Sequence, residues 1–278
     1  MKNNIFTYPI FILFSLVISF AHPIAETKVN TICQHVKTII VAAGVDTIIK
    51  KAKAEVPVLC YHQIRNWLPT DSKNARPYIM PPSHFEAQMK VLASNNFHCI
   101  LPDQLMAYLE NRHSLPSNPV MISFDDGTES QITDALPILN KYNFKAVFYI
   151  MTVVLNRPRY ITTAQVKMLA DNGHTIGCHT WNHEMVTKYT ANDWNVQLEK
   201  PTAFLEKITG KPIKNFAYPN GIWSQQAIEK LKKEGYYAAF QLAGKRDGLN
   251  PNYSIRRIIV NSSWNDRNFL SAIKTSFQ

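Results

Sequence analysis

The hydrophobic residues of this chain cluster in short runs that are separated by longer segments of mixed polarity. Apolar runs of about four to eight residues, bounded by turn residues, are typical of buried strands. The clearest run covers residues 120–124 and leads directly into Asp125, Asp126 and Gly127. We therefore predict a buried strand over 120–124 with two adjacent carboxylates at its carboxyl end.

The other apolar runs, and the segments between them, predict an alternation of strands and helices. Further strands are predicted over residues 56–61, 98–100, 145–151, 175–178, 215–218, 237–242 and 254–260. Helices are predicted over residues 83–95, 102–111, 128–140, 163–173, 193–209 and 225–235, and from residue 266 onward. This alternation favours an α/β fold with a parallel sheet and outer helices, closed or nearly closed into a barrel.

Local signals predict some of the helix ends. Ser83 and Glu86 have the spacing of a capping box, which predicts a helix with Ser83 as its N-cap. Gly173 and Gly210 follow two of the helical segments and predict where those helices end. Residues 66–82 are rich in Pro, Asn and Asp, which predicts a long loop before the first helix.

The carboxylate pair after the clearest strand has two interpretations. Two neighbouring carboxylates repel each other, so a fold that places them together usually has a cation nearby. Because active sites of α/β folds gather at the carboxyl ends of strands, the pair is a candidate for chemistry. The alternative is that Asp125 and Asp126 only cap the helix predicted from residue 128.

The first residues have the layout of a secretory signal peptide. Lys2 precedes an apolar segment over residues 10–20, and Ala21 is a small residue suited to cleavage. The segment is short for a membrane span, which needs roughly 20 residues, although a retained signal anchor is the alternative. We predict an exported, periplasmic or secreted protein with a signal peptide over residues 1–21, a lead-in helix or linker over 22–55 and the main domain over 56–278.

Charge and cysteine content narrow the classes of function. The net charge of +10 suits either an envelope protein near anionic polymers or a nucleic-acid-binding protein. The Lys and Arg residues are scattered rather than grouped with aromatic residues, which argues against a nucleic-acid partner. The wide spacing of the cysteines predicts neither a zinc-finger pattern nor a dense disulfide framework and leaves their pairing open; they are Cys33, Cys60, Cys99 and Cys178.

Chemically distinctive residues follow three of the predicted strands. The first group is Asp125 and Asp126, the second contains His179 and His183, and the third covers residues 218–221. Two histidines four residues apart can hold one metal ion from a helical turn. A lone His-x-x-x-His is more often incidental, but a carboxylate at another strand end completes three protein ligands. Three ligands leave one coordination position open, which is the arrangement of a catalytic metal site.

The first two groups resemble the signature of the polysaccharide deacetylase superfamily, also called carbohydrate esterase family four or the NodB-homology domain. Ser123-Phe124-Asp125-Asp126-Gly127 is similar to the family's Thr-Phe-Asp-Asp-Gly, and His179-Thr180-Trp181-Asn182-His183 fits its His-(Ser/Thr)-x-x-His. The resemblance covers roughly residues 56–275 and implies a distorted, partly open (β/α) barrel. It also implies that Asp126, His179 and His183 bind a divalent metal and that Asp125 is the general base.

Two departures from the family pattern point to one branch of it. Ala217 stands where the family's third motif usually has an arginine, and no histidine follows His183 to act as the general acid. Both gaps resemble the deacetylases of poly-N-acetylglucosamine, in which an early Tyr-His strand end supplies the acid. That resemblance implies His62 as the acid and Arg257 as the residue that steadies the base, with Arg256 as the fallback. The alternative for either arginine is a surface charge on a strand.

The remaining site predictions concern the substrate. The backbone N–H of Asn220 is the expected oxyanion donor, because Pro219 before it has no N–H to give. Trp181, Tyr218 and Trp223 are candidates for an acetyl pocket and for a surface on which sugar rings stack, and the alternative for each is a core residue.

These residues predict a metal-dependent hydrolase that removes N-acetyl groups from an N-acetylglucosamine polymer and acts as a monomer. Zinc suits two histidines and a carboxylate, and Co²⁺, Ni²⁺ and Fe²⁺ fit the same ligands. An O-acetyl glycan esterase or a small-amide hydrolase is the alternative enzyme. A non-catalytic carbohydrate-binding module is the alternative of another class, which the intact Asp125, Asp126, His179 and His183 argue against.

Overall fold

A sheet of parallel strands organises the computed structural model, which describes residues 55–242 and 244–277. The strands are β1 (Val58–Tyr61), β2 (Gln63–Ile64), β3 (Ile79–Met80), β4 (His98–Cys99), β5 (Pro119–Phe124), β6 (Val147–Ile150), β7 (Thr175–Cys178), β8 (Asn215–Ala217), β9 (Ala238–Phe240) and β10 (Ile258–Ile259). The α-helices are α1 (Pro82–Ser94), α2 (Pro102–Leu109), α3 (Leu136–Lys141), α4 (Thr163–Asp171), α5 (Lys200–Thr209), α6 (Gln225–Lys233) and α7 (Asp266–Thr275).

The strand order of the main sheet is β10-β1-β5-β6-β7-β8-β9, and β4 pairs with the beginning of β5. Every pairing is parallel, so the carboxyl ends of the strands meet at one edge. The register of β1 on β5 sets Tyr61 beside Phe124, so the residues that follow these two strands leave the sheet side by side. The sheet curls into a half-barrel with helices around it, which confirms the predicted fold class.

The segment before β10 brings the two edges of the sheet together. Ile255 forms a parallel bridge with Phe240 of β9, and its carbonyl accepts a hydrogen bond from the backbone of Gln241 at 2.9 Å. A few residues later Ile258 pairs with Leu59 of β1. Arg257 therefore lies on the short stretch that passes from one edge to the other, above the interior of the half-barrel.

The side chains of β5 alternate between two apolar clusters. Phe124 packs outward against the helices, and its ring stacks on Phe148 of β6 with the centroids 5.0 Å apart. Met121 packs inward with Tyr149 and with residues of α2, which covers the amino-terminal end of the strands. Because successive strand residues point to opposite faces, Asp125 continues the inward series and projects into the barrel interior.

The predicted capping box is wrong. Helix α1 begins at Pro82, and its N-cap residue is Pro81, which makes no side-chain cap hydrogen bond. Proline is well suited to the first helical position, because the N–H that it lacks has no partner there in any helix. The helix therefore starts one residue before the predicted N-cap, and Ser83 lies inside its first turn. The predicted loop over 66–82 also contains the short strand β3.

Two helices begin with π-helical turns that the sequence did not predict. The helix predicted over 128–140 is a π-helix at Gln131–Ala135 followed by α3, and that predicted over 193–209 is a π-helix at Asn195–Glu199 followed by α5. Thr128 does not start a helix but forms an antiparallel bridge with Tyr160. The doublet Asp125-Asp126 is consequently not a helix cap, which removes the alternative interpretation of those two residues.

The predicted signal peptide over residues 1–21, the lead-in over 22–55 except its last residue, and Cys33 lie outside the described residues. Cys60, Cys99 and Cys178 are free thiols, and Cys178 is fully buried. Among the residues that the structure describes, no helix combines the length and the apolar character needed to cross a membrane.

Candidate active site

The residues predicted to carry chemistry meet at the carboxyl edge of the sheet, around one cavity of about 460 Å³. His62 follows β1, Asp125 and Asp126 follow β5, His183 comes from the loop after β7, and Asn220 comes from the loop after β8. The cavity is also lined by Gln63, Ala75, Tyr78, Tyr218, Gly221, Leu242 and Arg257.

Asp126, His179 and His183 form a compact cluster of ligand atoms. The Nε2 atom of His179 lies 3.6 Å from Oδ1 of Asp126, and the Nε2 atom of His183 lies 3.8 Å from the same oxygen. A metal bound tetrahedrally at about 2.1 Å holds its ligand atoms roughly 3.4 Å apart. The two histidine-to-aspartate distances exceed that value by only a few tenths of an ångström, and all three ligand atoms lie within 4.8 Å of one another.

The unpaired atoms of this cluster fit a metal. Oδ1 of Asp126 and Nε2 of His179 are buried and have no hydrogen-bond partner among the described residues. The other ring nitrogen of His179 donates to the carbonyl oxygen of Ala217 at 2.7 Å. That bond directs the lone pair of Nε2 toward Asp126, as is usual for a histidine that binds a metal. Buried acceptor atoms without donors are compatible with a site that a cation would complete.

The electrostatics of the cluster agree with that interpretation. Burial lowers the pKa of His179 to about 3 and also lowers the pKa of His183, so both rings are neutral at pH 7, the form that binds metals. Burial raises the pKa of Asp126 to about 6, against the effect of His62, which lowers it. A bound cation would favour the carboxylate form of Asp126.

The backbone of the cluster occupies the left-handed region at three residues other than glycine. The φ angle is 75° at Asp126, 69° at Thr180 and 67° at His183. Such conformations cost about 1–3 kcal/mol each and concentrate at functional sites. The Thr180 hydroxyl accepts a hydrogen bond from the backbone N–H of His183 at 2.9 Å, which helps to hold this turn.

Asp125 lies beside the cluster and forms a bidentate ion pair with Arg257. The two guanidinium nitrogens donate to its carboxylate oxygens at 2.6 and 2.8 Å, and both side chains are almost fully buried. Burial raises the pKa of Asp125, but Arg257 and His179 outweigh burial and hold that pKa well below its usual range. Asp125 is therefore ionised at neutral pH. Of the two candidate arginines, Arg256 instead pairs with Glu55 at 2.5 Å.

A second group of potential ligands, Cys60, His62 and Asp125, offers less to a metal, although its ligand atoms all lie within 4.8 Å of one another. Both oxygens of Asp125 are already bonded to Arg257. Burial raises the pKa of the Cys60 thiol well above its usual range, and the protonated thiol donates to Oδ2 of Asp125 at 3.6 Å. A metal needs a thiolate, so the first cluster is the better metal site.

His62 and Tyr78 form one wall of the cavity. The Nδ1 atom of His62 is buried without a hydrogen-bond partner among the described residues. The ring of Tyr78 contacts His62 edge to face at a centroid distance of 4.9 Å and is 43% exposed. Sequence reasoning missed Tyr78, which lies within the long predicted loop, and only its aromatic character beside the apolar Ile79 and Met80 distinguished it there.

The residues predicted to contact substrate are only partly gathered at the cavity. Asn220 lines it with a φ angle of 57°, and its N–H has no acceptor within the described part of the chain. Tyr218 also lines it, but its hydroxyl donates to the carbonyl of Tyr253 and its ring is fully buried. Trp223 instead packs against the outer apolar cluster, and Trp181 lies 40% exposed outside the cavity wall.

Comparisons with known proteins agree with this geometry. Residues 112–239 match a family model described as polysaccharide deacetylase. The poly-beta-1,6-N-acetyl-D-glucosamine N-deacetylase of Staphylococcus aureus is 28% identical over an alignment of 225 positions, which covers 73% of this chain and 77% of that protein. The Bacillus subtilis protein YxkH is 25% identical over 183 residues, which are 66% of this chain and 63% of YxkH. The chain thus spans less than two thirds of YxkH.

A solved structure supports the fold. The Streptococcus pyogenes deacetylase PplD in complex with acetate superposes with a TM-score of 0.72 at 21% identity, over 79% of this chain and 98% of that one. At this level of identity the likeness shows the arrangement of strands and helices and leaves the substrate open.

Proposed function

Because this chain carries a polysaccharide deacetylase domain of the NodB-homology type, we propose that it is a metal-dependent enzyme that removes N-acetyl groups from an N-acetylglucosamine polymer. One observation carries the proposal. Asp126, His179 and His183 converge, the ligand atoms of Asp126 and His179 are buried and unpaired among the described residues, and the ionised Asp125 lies directly beside them. A structural metal site would need no carboxylate held ionised at its open side.

Asp125 is proposed to act as the general base. Its Oδ2 atom lies 3.9 Å from Nε2 of His179, so the carboxylate borders the space in front of the three ligands. When bound there, a divalent metal supplies Lewis acidity that polarises the acetyl carbonyl and lowers the pKa of water from about 15.7 toward about 7. Asp125 accepts the proton that the water releases as it attacks.

Arg257 is proposed to orient the Asp125 carboxylate and to keep it ionised for this step. Its bidentate contact fixes the plane of the Asp125 carboxylate and keeps it charged, while the outer lone pairs stay available to a proton. The guanidinium is itself held by the carbonyl of Gln241 at 3.2 Å and by the face of the Tyr149 ring at 5.2 Å. We propose that Arg257 takes the role of the arginine that the third family motif usually has and that this chain replaces with Ala217.

His62 is proposed to protonate the leaving amine, and Asn220 is proposed to stabilise the negative oxygen of the attacked carbonyl. His62 lines the same cavity, and its imidazole is proposed to donate a proton to the leaving amine of the sugar. The N–H of Asn220 is free to donate to the oxygen that becomes negative as the carbonyl is attacked. Both groups lie on strand-end loops that face Asp125 across the cavity.

The proposed substrate follows from the early Tyr61-His62 strand end and from the relative in Staphylococcus aureus, whose name states poly-beta-1,6-N-acetyl-D-glucosamine. We also propose that the enzyme is exported, since Lys2 and the apolar residues 10–20 have the layout of a signal peptide. A polymer of the cell envelope would then be within reach.

The test is a panel of acetylated substrates. Acetate release is measured from poly-N-acetylglucosamine, chitooligosaccharides, peptidoglycan and acetyl-xylan, with metal-stripped protein and after zinc is added back. We expect zinc-dependent release that is fastest from poly-N-acetylglucosamine. Release from acetyl-xylan alone would replace the proposal with an O-acetyl esterase, and release that is unaffected by chelation would exclude the metal.

A further inference from the structure

Two buried glutamines contact the backbone of the site and lie on the two π-helical turns. Gln131 is the first residue of the turn Gln131–Ala135, and Gln197 is the central residue of the turn Asn195–Glu199. Their side chains are 0% and 3% exposed. Single π-helical turns are rare and frequently occur at functional sites. The contacts of these two side chains connect the π-helical turns to the site.

Gln131 joins the ends of β1 and β5. Its Nε2 atom donates to the carbonyl oxygen of His62 at 2.9 Å and to the carbonyl oxygen of Asp125 at 2.6 Å. Both partners are carbonyl oxygens, so only the amide nitrogen can serve them. The proposed acid and the proposed base are thus held at a set separation by one side chain that touches neither of their reacting atoms.

The neighbouring residues strengthen this connection. The Thr128 hydroxyl donates to the same carbonyl of His62 at 3.4 Å, and the Ser130 hydroxyl accepts from the N–H of Ile64 at 3.0 Å. The turn that follows Gly127 therefore holds the chain on both sides of His62, and the π-helical turn directs Gln131 into the gap between the two strand ends.

Gln197 holds the loop between the two histidine ligands. Its Oε1 atom accepts from the backbone N–H groups of Trp181 at 3.3 Å and Asn182 at 3.4 Å. Its Nε2 atom donates to the side chains of Asn182 at 2.8 Å and Glu184 at 3.2 Å. Three of these four bonds go to the loop between His179 and His183, where Thr180 has a left-handed backbone, and the fourth goes to Glu184 just after it. The loop is thus held by a side chain from another element.

We infer that Gln131 and Gln197 are positioning residues with separate tasks: Gln131 sets the acid against the base, and Gln197 sets the two histidines for the metal. This inference rests on the proposed function of the same site. Neither residue reaches the reacting atoms, and a purely structural role would make their effects alike. Separate tasks predict that the two substitutions affect different measurements.

The first arm measures metal affinity. Gln197→Met keeps the length of the side chain but removes all four hydrogen bonds, which leaves two backbone N–H groups without acceptors. We expect the affinity for zinc, measured by competition with a chromophoric chelator, to fall about tenfold or more, as for other groups that orient metal ligands. Activity at saturating zinc should largely return. Zinc affinity equal to that of the wild type would overturn the role of Gln197.

The second arm measures turnover. Gln131→Met should leave zinc affinity within about twofold of the wild type and lower kcat about 10- to 100-fold with little change in KM, because the acid and base lose their set separation. If Gln131→Met does not fold, Gln131→Asn takes its place, since it keeps the amide group but is too short to reach both carbonyl oxygens. An unchanged kcat would overturn the role of Gln131.

The matched control is Gln88→Met. Gln88 is another buried glutamine, 3% exposed in α1, and its Oε1 accepts from the Tyr61 hydroxyl at 2.9 Å, away from the cavity. We expect it to lower the melting temperature without changing zinc affinity or kcat. Equal effects of all three substitutions would overturn the inference. Zinc binding by the wild type and its acetate release are measured in parallel, so a failure of the proposed function is seen in the wild type itself.

Discussion

The guanidinium of Arg257 donates to both carboxylate oxygens of Asp125, at 2.6 and 2.8 Å, across 132 positions of sequence. Neither side chain has more than a few per cent of its surface exposed. Asp125 thus remains an anion in the interior of the half-barrel, where an unpaired carboxylate would take up a proton. A general base must be ionised to accept a proton, and this pair provides that state.

The first prediction concerns removal of the arginine. Arg257→Met leaves Asp125 buried and unpaired, so we expect the free energy of unfolding to fall by about 3–5 kcal/mol and acetate release to be lost. Urea unfolding and the acetate assay measure the two effects. The control is Arg256→Met, which removes a partly exposed pair with Glu55 and a hydrogen bond to the carbonyl of Ser276, and should cost about 1–2 kcal/mol. Equal losses in the two variants would contradict the role given to Arg257.

The second prediction concerns the metal ligands. Zinc added to metal-stripped protein at about 100 times its dissociation constant should stabilise the fold by about 2.7 kcal/mol, and the melting temperature should rise. Asp126→Ala should abolish that rise and the bound metal measured by elemental analysis. Asp171→Ala, which removes an exposed carboxylate paired with Lys167, should keep both. Full metal content in Asp126→Ala would disprove the assigned ligand set.

The third prediction separates the acid from the metal. His62→Ala removes the proposed proton donor to the leaving amine, so we expect kcat to fall by about 10²- to 10⁴-fold while metal content stays unchanged. Steady-state kinetics and elemental analysis on the same preparation measure both quantities. His98→Ala is the control, since His98 is an exposed residue of β4 at the other end of the strands. Turnover equal to the wild type would assign the acid elsewhere.

The fourth prediction concerns stability at acid pH. Burial, helped by Lys145, lowers the pKa of His174 to about 4, against about 6.5 in an unfolded chain. Between these values the unfolded chain binds a proton that the folded chain does not, so stability is lost as the pH falls from about 6.5 to about 4. The loss from this residue is at most about 3 kcal/mol.

The variant His174→Asn isolates this effect. His174 Nδ1 accepts a hydrogen bond from the N–H of Ala146 at 3.2 Å. An asparagine side chain can accept the same hydrogen bond but does not titrate. Urea unfolding at pH 7, 6, 5 and 4.5 should show the wild type losing stability relative to His174→Asn as the pH falls. Parallel curves for the two proteins would show that His174 has an ordinary pKa in the folded state.

Sequence reasoning worked best where one local signal dominated. The strand before Asp125 and the strand that ends at Cys178 were predicted correctly, because a buried strand leaves a short run of uncharged and mostly apolar residues. It failed where several local signals competed. The spacing of Ser83 and Glu86 suggested a cap, but a proline one residue earlier offered a better helix start.

The sequence by itself determined the alternation of strands and helices and which residues have metal-binding or proton-transferring groups, because both depend on residue type and short spacing. Only the tertiary structure decided that Arg257 rather than Arg256 turns toward Asp125. Neighbouring residues of an extended segment face opposite ways, and the pairing of this segment with β1 and β9 fixes which arginine faces Asp125. The tertiary structure also decided the contacts of Gln131 and Gln197. Both glutamines contact backbone groups that are distant in the sequence or lie in irregular loops. A pattern of side chains along the chain does not reveal such contacts.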